Sequence, residues 1–207
     1  MRIYIGTSAN GEDAVQEKIL EYSLRKHATE DVEIVWMRNN DSYLEMSNHG
    51  WATPFSGFRW TVPEMCNFEG RALYMDVDML NLRDISILYN MDLKGKSLSC
   101  RAGGRTCVMV MDCEKCKHWM PSIAAQNKGQ RTHMSLYSKA RSHFTPFDAR
   151  WNCLDGENYK IDDIWHLHFT RMNSQPWKPS WFRGKTVPHK RKDIQDLWYQ
   201  YKEEANA

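Results

Sequence analysis

The chain has 207 residues, of which 28 are basic and 26 acidic, a length that suits one domain with a sizeable core or a domain with a small appendage. Because these charges nearly cancel, the chain lacks a field suited to a nucleic-acid backbone, and we expect no nucleic-acid partner. No apolar stretch approaches the roughly 18 to 20 residues that span a bilayer, and no secretion signal is evident. The six cysteines then predict a cytoplasmic protein with reduced thiols.

The N-terminal part predicts strands that alternate with a helix. RIYIG (2–6) is typical of a short strand, and Val15, Ile19 and Tyr22 follow it at helical spacing. VEIVWM (32–37) predicts a second strand. Strand, helix and strand at this spacing favour a βαβ unit and a mostly parallel sheet.

The next segments predict a loop, a short helix and a third strand. Residues 38–54 are polar, and a loop of that length is often functional. SGFRWTVPEM (56–65) predicts a short helix that Pro63 ends or kinks. ALYMDVDML (72–80) is typical of a buried strand, and the following RDISILYN (83–90) predicts a helical turn.

The second half predicts fewer regular elements. TCVMVMDC (106–113) is a further buried-strand candidate, and EKCKHWMPSIAAQN (114–127) predicts a helix interrupted at its proline. Residues 127–150 are polar and basic with weak periodicity. IWHLHF (164–169) alternates as a late strand does. We therefore predict an α/β fold with an open sheet.

The C-terminal segment follows the Pro- and Trp-rich stretch SQPWKPSW (174–181). DIQDLWYQYKEEA (193–205) predicts an amphipathic helix. Its apolar face carries Ile194, Leu197, Trp198 and Tyr201. We predict a main domain over residues 1–180 and a C-terminal helical extension over residues 181–207.

Asp76 and Asp78 lie in an apolar run, where an unpaired carboxylate is costly. On a strand, residues i and i+2 point to the same side with Cα atoms about 6.5 Å apart. Two carboxylates on one side can share a hard divalent cation. In open α/β sheets, ligands bind beyond the carboxyl ends of the strands, which is where this pair is predicted to lie.

Two other interpretations of this pair remain open. In the first, Asp78 caps the following turn while Asp76 is solvated at the strand end. Alternatively, haloacid-dehalogenase-type phosphatases place Asp-x-Asp after a strand, with the first residue as nucleophile and the second as general acid. In those enzymes the motif usually closes the first strand, whereas here it closes the third predicted one.

Four segments occur in the order expected of a GT-A nucleotide-sugar glycosyltransferase: RIYIGTSANGEDAVQEKILEYSLRKH (2–27), FSGFRWTVPEM (55–65), GRALYMDVDMLNLRDISILY (70–89) and WHLHFTRMNSQPW (165–177). Over most of residues 1–180 the chain resembles glycosyltransferase family 8, the glycogenin and lipopolysaccharide-galactosyltransferase type. This resemblance implies a GT-A-like (Rossmann-like) mixed sheet flanked by helices. It also implies metal-dependent transfer of a hexose, with retention, from a nucleotide sugar. The expected donor is a UDP-sugar, and the acceptor hydroxyl would belong to a saccharide, a lipid-linked glycan or a protein.

The same resemblance implies the site residues. Family members hold Mn²⁺ (or Mg²⁺) with residues that match Asp76, Asp78 and His168, the last in HFTRMNSQPW. His168 matches better than His166 because an aromatic residue and a threonine follow it. Nucleotide contacts are expected from Gly6, Thr7, Ser8, Asp76 and Val77. Donor-sugar contacts are expected from Arg59, Thr106 and Trp177.

The chain also departs from the family pattern. Arg171 and Met172 stand where a glycine follows the metal histidine, and Gln175 replaces the lysine before Pro-Trp. Residues 105–107 replace an Asn-Ser-Gly triplet, and no match for the Asp-Gln pair on the reacting face is found. An alternative function is therefore a sugar-nucleotide or glycan-binding protein that has lost catalysis.

Two further motifs have simple interpretations. Cys113, Cys116 and His118 form a C-x-x-C with a nearby histidine, but a structural zinc ion needs four ligands and no second pair follows. We therefore predict partly buried thiols. HKRK (189–192) is too short for a polybasic membrane cluster and predicts a solvated helix start.

Overall fold

The computed structural model describes residues 1–38, 53–128, 133–180 and 182–207, so the predicted loop over 38–54 lies almost wholly outside the described residues. The strands are β1 Arg2–Gly6, β2 Glu33–Met37, β3 Arg71–Asp76, β4 Met79–Asn81, β5 Leu98–Arg101, β6 Arg105–Asp112, β7 Phe144–Phe147, β8 Cys153–Leu154 and β9 His166–His168. The helices are α1 Ala14–His27, α2 Val62–Met65, α3 Ile85–Tyr89, α4 Cys113–Cys116, α5 Ile123–Asn127, α6 His133–Ala140 and α7 Lys192–Glu204.

The described strands form two sheets. A six-stranded sheet has the order β2-β1-β3-β6-β5-β7, and a three-stranded sheet has the order β4-β9-β8. In the larger sheet, β1 runs parallel to β2 and β3, whereas β6 runs antiparallel to β3 and β5. The predicted α/β class with an open mixed sheet flanked by helices is confirmed.

The centre of the larger sheet is apolar on both faces. On one face of β1 and β3, Ile3, Ile5, Leu73 and Met75 are fully buried, and on the other face Tyr4 and Tyr74 are buried. Parallel strands covered on both faces have near-continuous apolar sequences, which is what RIYIG and RALYMD show. These two strands therefore give the site a rigid base.

The predicted third strand is two strands in two different sheets. β3 ends at Asp76 and β4 begins at Met79, so Val77 and Asp78 form the crossover between the sheets. The backbone N–H of Val77 donates to the carbonyl of Gly6 (3.0 Å) at this crossover. The same-face spacing expected for Asp76 and Asp78 on one strand is therefore wrong. A run that is apolar throughout carries no periodic signal that marks such a break.

Two other local expectations also differ. Pro63 lies in the first turn of α2 and begins the helix rather than ending it, because its missing N–H is not needed there. The weakly periodic residues 127–150 contain α6 and β7. The interrupted helix predicted over 114–127 is present as α4 and α5, on either side of Pro121.

The C-terminal helix α7 packs against α1, as its amphipathic pattern predicts. Ile194, Trp198 and Tyr201 are buried in a second apolar cluster, which also contains Ile19 and Trp177. The ring of Trp198 stacks on that of Trp177 with centroids 5.8 Å apart. Within the described residues, no helix combines the length and apolar character needed to cross a bilayer.

Candidate metal and donor site

The candidate site lies where the two sheets meet. Gly6 at the end of β1 is in register with Asp76 at the end of β3. In the smaller sheet, His168 of β9 is in register with Met79 of β4. The carbonyl of Asp78 accepts a hydrogen bond of 2.9 Å from the N–H of Phe169. The strand pairing thus brings Gly6, Asp76, Asp78 and His168 to one place.

Glycine is required at position 6 because a side chain there would not fit. A Cβ atom on this residue would collide with the hydroxyl of Tyr74 and lie 3.2 Å from its Cζ. That hydroxyl donates to Oδ1 of Asp76 at 2.7 Å. The absence of a side chain at Gly6 therefore lets Tyr74 reach the first carboxylate of the motif.

Asp76 is paired with a buried arginine. Nη2 of Arg59 donates to Oδ1 and Oδ2 of Asp76 at 2.9 and 2.8 Å, and Nη1 donates to Oγ1 of Thr106 at 3.0 Å. All three side chains are buried. Burial raises the pKa of Asp76, and the positive charge of Arg59 opposes that shift. Three residues predicted separately from the sequence are thus in direct contact.

The second aspartate of the motif, Asp78, has a different environment from that of Asp76. Its Oδ1 is buried and has no hydrogen-bond partner among the described residues. Nε2 of His168 lies 3.4 Å from this oxygen. An orphaned carboxylate oxygen in the interior is costly unless a cation or proton satisfies it. Asp78 therefore fits a ligand of a divalent ion.

His168 presents one nitrogen to this carboxylate. Its Nδ1 lies 3.1 Å from Oδ1 of Asn152, which cannot donate, so Nδ1 carries the proton and Nε2 faces Asp78. Metal ligation requires Nε2 to be free of its proton, so a bound ion would displace the proton that Nε2 carries in the imidazolium form. Burial lowers the pKa of His168, but Cys107 and Asp78 outweigh it and raise the pKa well above its usual value.

Cys107 is a member of the site that sequence reasoning missed. The described residues contain one group of three potential metal ligands, formed by Asp76, Cys107 and His168, whose ligand atoms all lie within 4.8 Å of one another. Burial raises the pKa of Cys107, but His168 outweighs that effect and the net shift is downward. The only indication in the sequence is that residues 105–107 replace the family's Asn-Ser-Gly triplet. Nothing in the sequence predicts that Cys107 of β6 lies close to His168 of β9.

The first strand ends in two buried hydroxyl residues. Oγ1 of Thr7 donates to Glu17 at 2.7 Å, and Ser8 hydrogen-bonds to Asp13. Oδ2 of Asp13 is buried without a hydrogen-bond partner among the described residues, and burial raises the pKa of this carboxyl. Asp13 thus adds an acidic group close to Asp78 that sequence reasoning did not select.

Gln16 holds the crossover between the sheets, and it too was missed. Its Nε2 donates to the carbonyls of Val77 (2.9 Å) and Met79 (2.7 Å) on either side of Asp78. Its Oε1 accepts a hydrogen bond of 2.8 Å from Nε1 of Trp198. The helix α7 is therefore connected to the motif through a single amide side chain.

Trp177 lies beside the site in the second apolar cluster. Its Nε1 donates to Oδ1 of Asp13 at 3.2 Å, and its ring packs on Trp198 and Phe169. The indole N–H and much of the ring surface are thus used within the protein. Contact of Trp177 with a donor sugar stays a prediction, as do the other ligand contacts.

The remaining motifs lie elsewhere. All six cysteines are in described ranges and are free, and Cys113 and Cys116 are buried. His189 is not solvated, contrary to expectation, because its Nε2 lies 3.1 Å from Oδ2 of the buried Asp155. The helix α7 begins three residues later, at Lys192.

Comparison with known proteins supports the fold. No protein-family model matches the chain, and no curated protein matches its sequence. Three solved structures illustrate the structural likeness. The glycosyltransferase GlyE of Streptococcus pneumoniae TIGR4, in its apo form, superposes with a TM-score of 0.65 at 12% identity, over 97% of this chain and 59% of that one. The bifunctional glycosyltransferase WbbM superposes with a TM-score of 0.66 at 12% identity, over 98% and 49% of the two chains.

The third structure is matched over nearly all of its length. The galactosyltransferase LgtC, solved with donor and acceptor sugar analogues, superposes with a TM-score of 0.60 at 11% identity, over 99% of this chain and 96% of that one. This chain thus spans about 59% of GlyE but nearly all of LgtC. The chain has the fold of the GT-A glycosyltransferases, and its resemblance to glycosyltransferase family 8 is confirmed at the level of the fold.

Proposed function

We propose that this protein is a metal-dependent glycosyltransferase that moves a hexose from a nucleotide sugar to a hydroxyl acceptor with retention of configuration. The observation that carries the proposal is the orphaned Oδ1 of Asp78, which lies 3.4 Å from Nε2 of His168 at the edge of a GT-A sheet. A buried carboxylate with no hydrogen-bond partner beside a ligating histidine is expected where a cation binds.

Asp76, Asp78 and His168 would hold the ion, with Mn²⁺ or Mg²⁺ as the ion that the resemblance implies. A bound divalent ion would offset the negative charge that develops on the diphosphate leaving group. The protein supplies the orientation: Asn152 fixes the ring of His168, and Gln16 fixes the backbone around Asp78.

The donor nucleotide, proposed to be that of a UDP-sugar, would lie against Gly6, Thr7, Ser8 and Val77. Arg59 contacts both Asp76 and Thr106, and Arg59 and Thr106 would contact the donor on that side of the site. In the family, the leaving phosphate is thought to accept the proton of the acceptor hydroxyl, so no protein base is assigned. The acceptor is a saccharide, a lipid-linked glycan or a protein.

Isothermal titration of UDP with and without Mn²⁺ tests the proposal. We expect binding that depends on Mn²⁺, that Asp76→Asn/Asp78→Asn abolishes, and that Asp78→Asn alone weakens strongly. Asp196→Asn, on the solvent side of α7, is the matched control and should bind as wild type does. UDP binding that is absent from folded wild-type protein at every Mn²⁺ concentration would overturn the proposal.

A second function, binding without catalysis, is favoured by one observation. Both oxygens of Asp76 accept hydrogen bonds from Arg59, which restricts their use as metal ligands. Release of free sugar from a UDP-sugar without acceptor would separate the two functions, because a pure binder leaves the donor intact. No observation favours the phosphatase interpretation, since the fold is that of glycosyltransferases.

A further inference from the structure

We propose that Cys107 is a thiolate ligand of the ion at this site, and that the site therefore selects a thiophilic ion of the Zn²⁺ or Co²⁺ type over Mn²⁺. The inference rests on the metal site of the proposed function and departs from the ion that the family resemblance implies. Thiolate ligands select zinc and similar ions, whereas carboxylate and water ligands suit manganese and magnesium.

The position of Cys107 supports direct ligation. It lies on β6, and its neighbour Val108 is in register with Met75, the residue before Asp76. The ligand atoms of Asp76, Cys107 and His168 lie within 4.8 Å of one another. With zinc–sulfur and zinc–nitrogen distances of about 2.3 and 2.0 Å, a sulfur and a nitrogen ligand of one tetrahedral ion are about 3.5 Å apart. Side-chain movements of about 1 Å would therefore bring these atoms to one ion.

The charges of the side chains at the site also favour a thiophilic cation. Asp76 is neutralised by Arg59, so its oxygens are already shared with a guanidinium. Asp78 keeps a buried oxygen with no hydrogen-bond partner in the described residues. A thiolate at Cys107, Nε2 of His168 and an oxygen of Asp76 would supply one sulfur, one nitrogen and one oxygen ligand, with Oδ1 of Asp78 3.4 Å from Nε2 of His168. Zinc accepts this mixed set in a tetrahedral site with a fourth, open position.

Cobalt(II) tests ligation without any activity measurement. Chelator-treated protein under reducing conditions is titrated with Co²⁺ while its absorption is recorded. We expect a near-ultraviolet thiolate-to-cobalt charge-transfer band in wild type. The band should disappear in Cys107→Ser and persist in Cys116→Ser, a buried cysteine beyond the far end of β6 that serves as the matched control. Circular dichroism of each variant checks that it is folded.

Metal selectivity gives the second measurement. We expect Cys107→Ser to weaken Zn²⁺ binding by at least about 10- to 100-fold, since changes around metal sites commonly have effects of that size. Mn²⁺ binding should change much less. Cys107→Ala, which cannot ligate, should reproduce the loss of Zn²⁺ affinity.

The outcomes separate this inference from the proposed function. If Co²⁺ binds wild type without a charge-transfer band and Asp78→Asn removes that binding, the site holds an ion but Cys107 is not a ligand, and the inference is wrong. If Mn²⁺-dependent UDP binding is retained in that case, the proposed function stands. If wild type binds neither ion, both are overturned.

Discussion

Nη2 of Arg59 donates to both carboxylate oxygens of Asp76, at 2.9 and 2.8 Å, in the interior of the protein. This contact gives the two aspartates of the motif different roles. Asp76 is paired with a guanidinium, whereas Oδ1 of Asp78 has no hydrogen-bond partner among the described residues and lies 3.4 Å from Nε2 of His168. The apolar strand can thus carry the first carboxylate because of Arg59, and the second remains available to an ion.

Replacing Arg59 with Met should leave Asp76 buried without its charge partner. Breaking a buried ion pair on one side costs about 3–5 kcal/mol of the free energy of unfolding. The double variant Arg59→Met/Asp76→Asn should recover part of this loss, because the neutral amide keeps the hydrogen bond from Tyr74 without the charge. Urea unfolding of the three proteins measures both values. A double variant no more stable than the single one would contradict this account.

The stability of the protein should fall in acid because of His166. Burial lowers the pKa of His166 to about 3, whereas an unfolded histidine has a pKa of about 6.5. Between these values the unfolded chain binds a proton that the folded chain does not. The free energy of unfolding therefore decreases as pH falls from about 6.5 toward 3, by up to about 1.4 kcal/mol per pH unit.

Urea unfolding at pH 7 and pH 5 tests this effect. Wild type should lose about 2 kcal/mol more between these pH values than His166→Gln does. His118→Gln, at an exposed histidine, should behave as wild type. Equal losses in wild type and His166→Gln would show that His166 is not the group responsible.

The sequence predicted the strands of the N-terminal βαβ unit, α7 and the α/β class because each has a clear apolar pattern. It did not predict the break at Val77, because β3 and β4 are both apolar and only their partners differ. The sequence did not predict that Cys107 and Asp13 belong to the site, for a related reason. Each reaches the site through strand order and turn geometry, which are set by contacts distant in the sequence.

Gly6→Ala should destabilise the protein through Tyr74. The new methyl group would collide with the Tyr74 hydroxyl, and overpacking of this kind costs about 1–3 kcal/mol. Adding Tyr74→Phe removes the colliding oxygen, so the double variant should be less destabilised relative to Tyr74→Phe alone. A double-mutant cycle by urea unfolding gives the coupling. Additive costs would contradict the proposed collision.

Removal of residues 181–207 tests whether the predicted C-terminal extension is separable. Ile194, Trp198 and Tyr201 share an apolar cluster with Ile19 and Trp177. The truncated chain would expose these partners, and we expect it to be insoluble or to bind a hydrophobic dye. Cooperative unfolding of a soluble 1–180 fragment, with the same midpoint as the full chain, would instead identify the extension as independent.

Trp198→Phe should weaken Mn²⁺-dependent UDP binding through Gln16, which connects Trp198 to the crossover that carries Asp78. The substitution keeps most of the ring but removes the donor to Oε1 of Gln16, whose amide holds the carbonyls of Val77 and Met79. A buried acceptor left unsatisfied costs about 1–3 kcal/mol. The crossover that carries Asp78 should then be less firmly held, so Mn²⁺-dependent UDP binding should weaken together with stability.

Tyr199→Phe is the matched control for this prediction, because Tyr199 lies on the exposed side of α7. Urea unfolding and UDP titration with Mn²⁺ should give wild-type values for that variant. The informative comparison is between the two effects of Trp198→Phe. Lost stability with unchanged UDP affinity would mean that Gln16 holds its position without Trp198, and that α7 supports the fold but does not position the metal-binding turn.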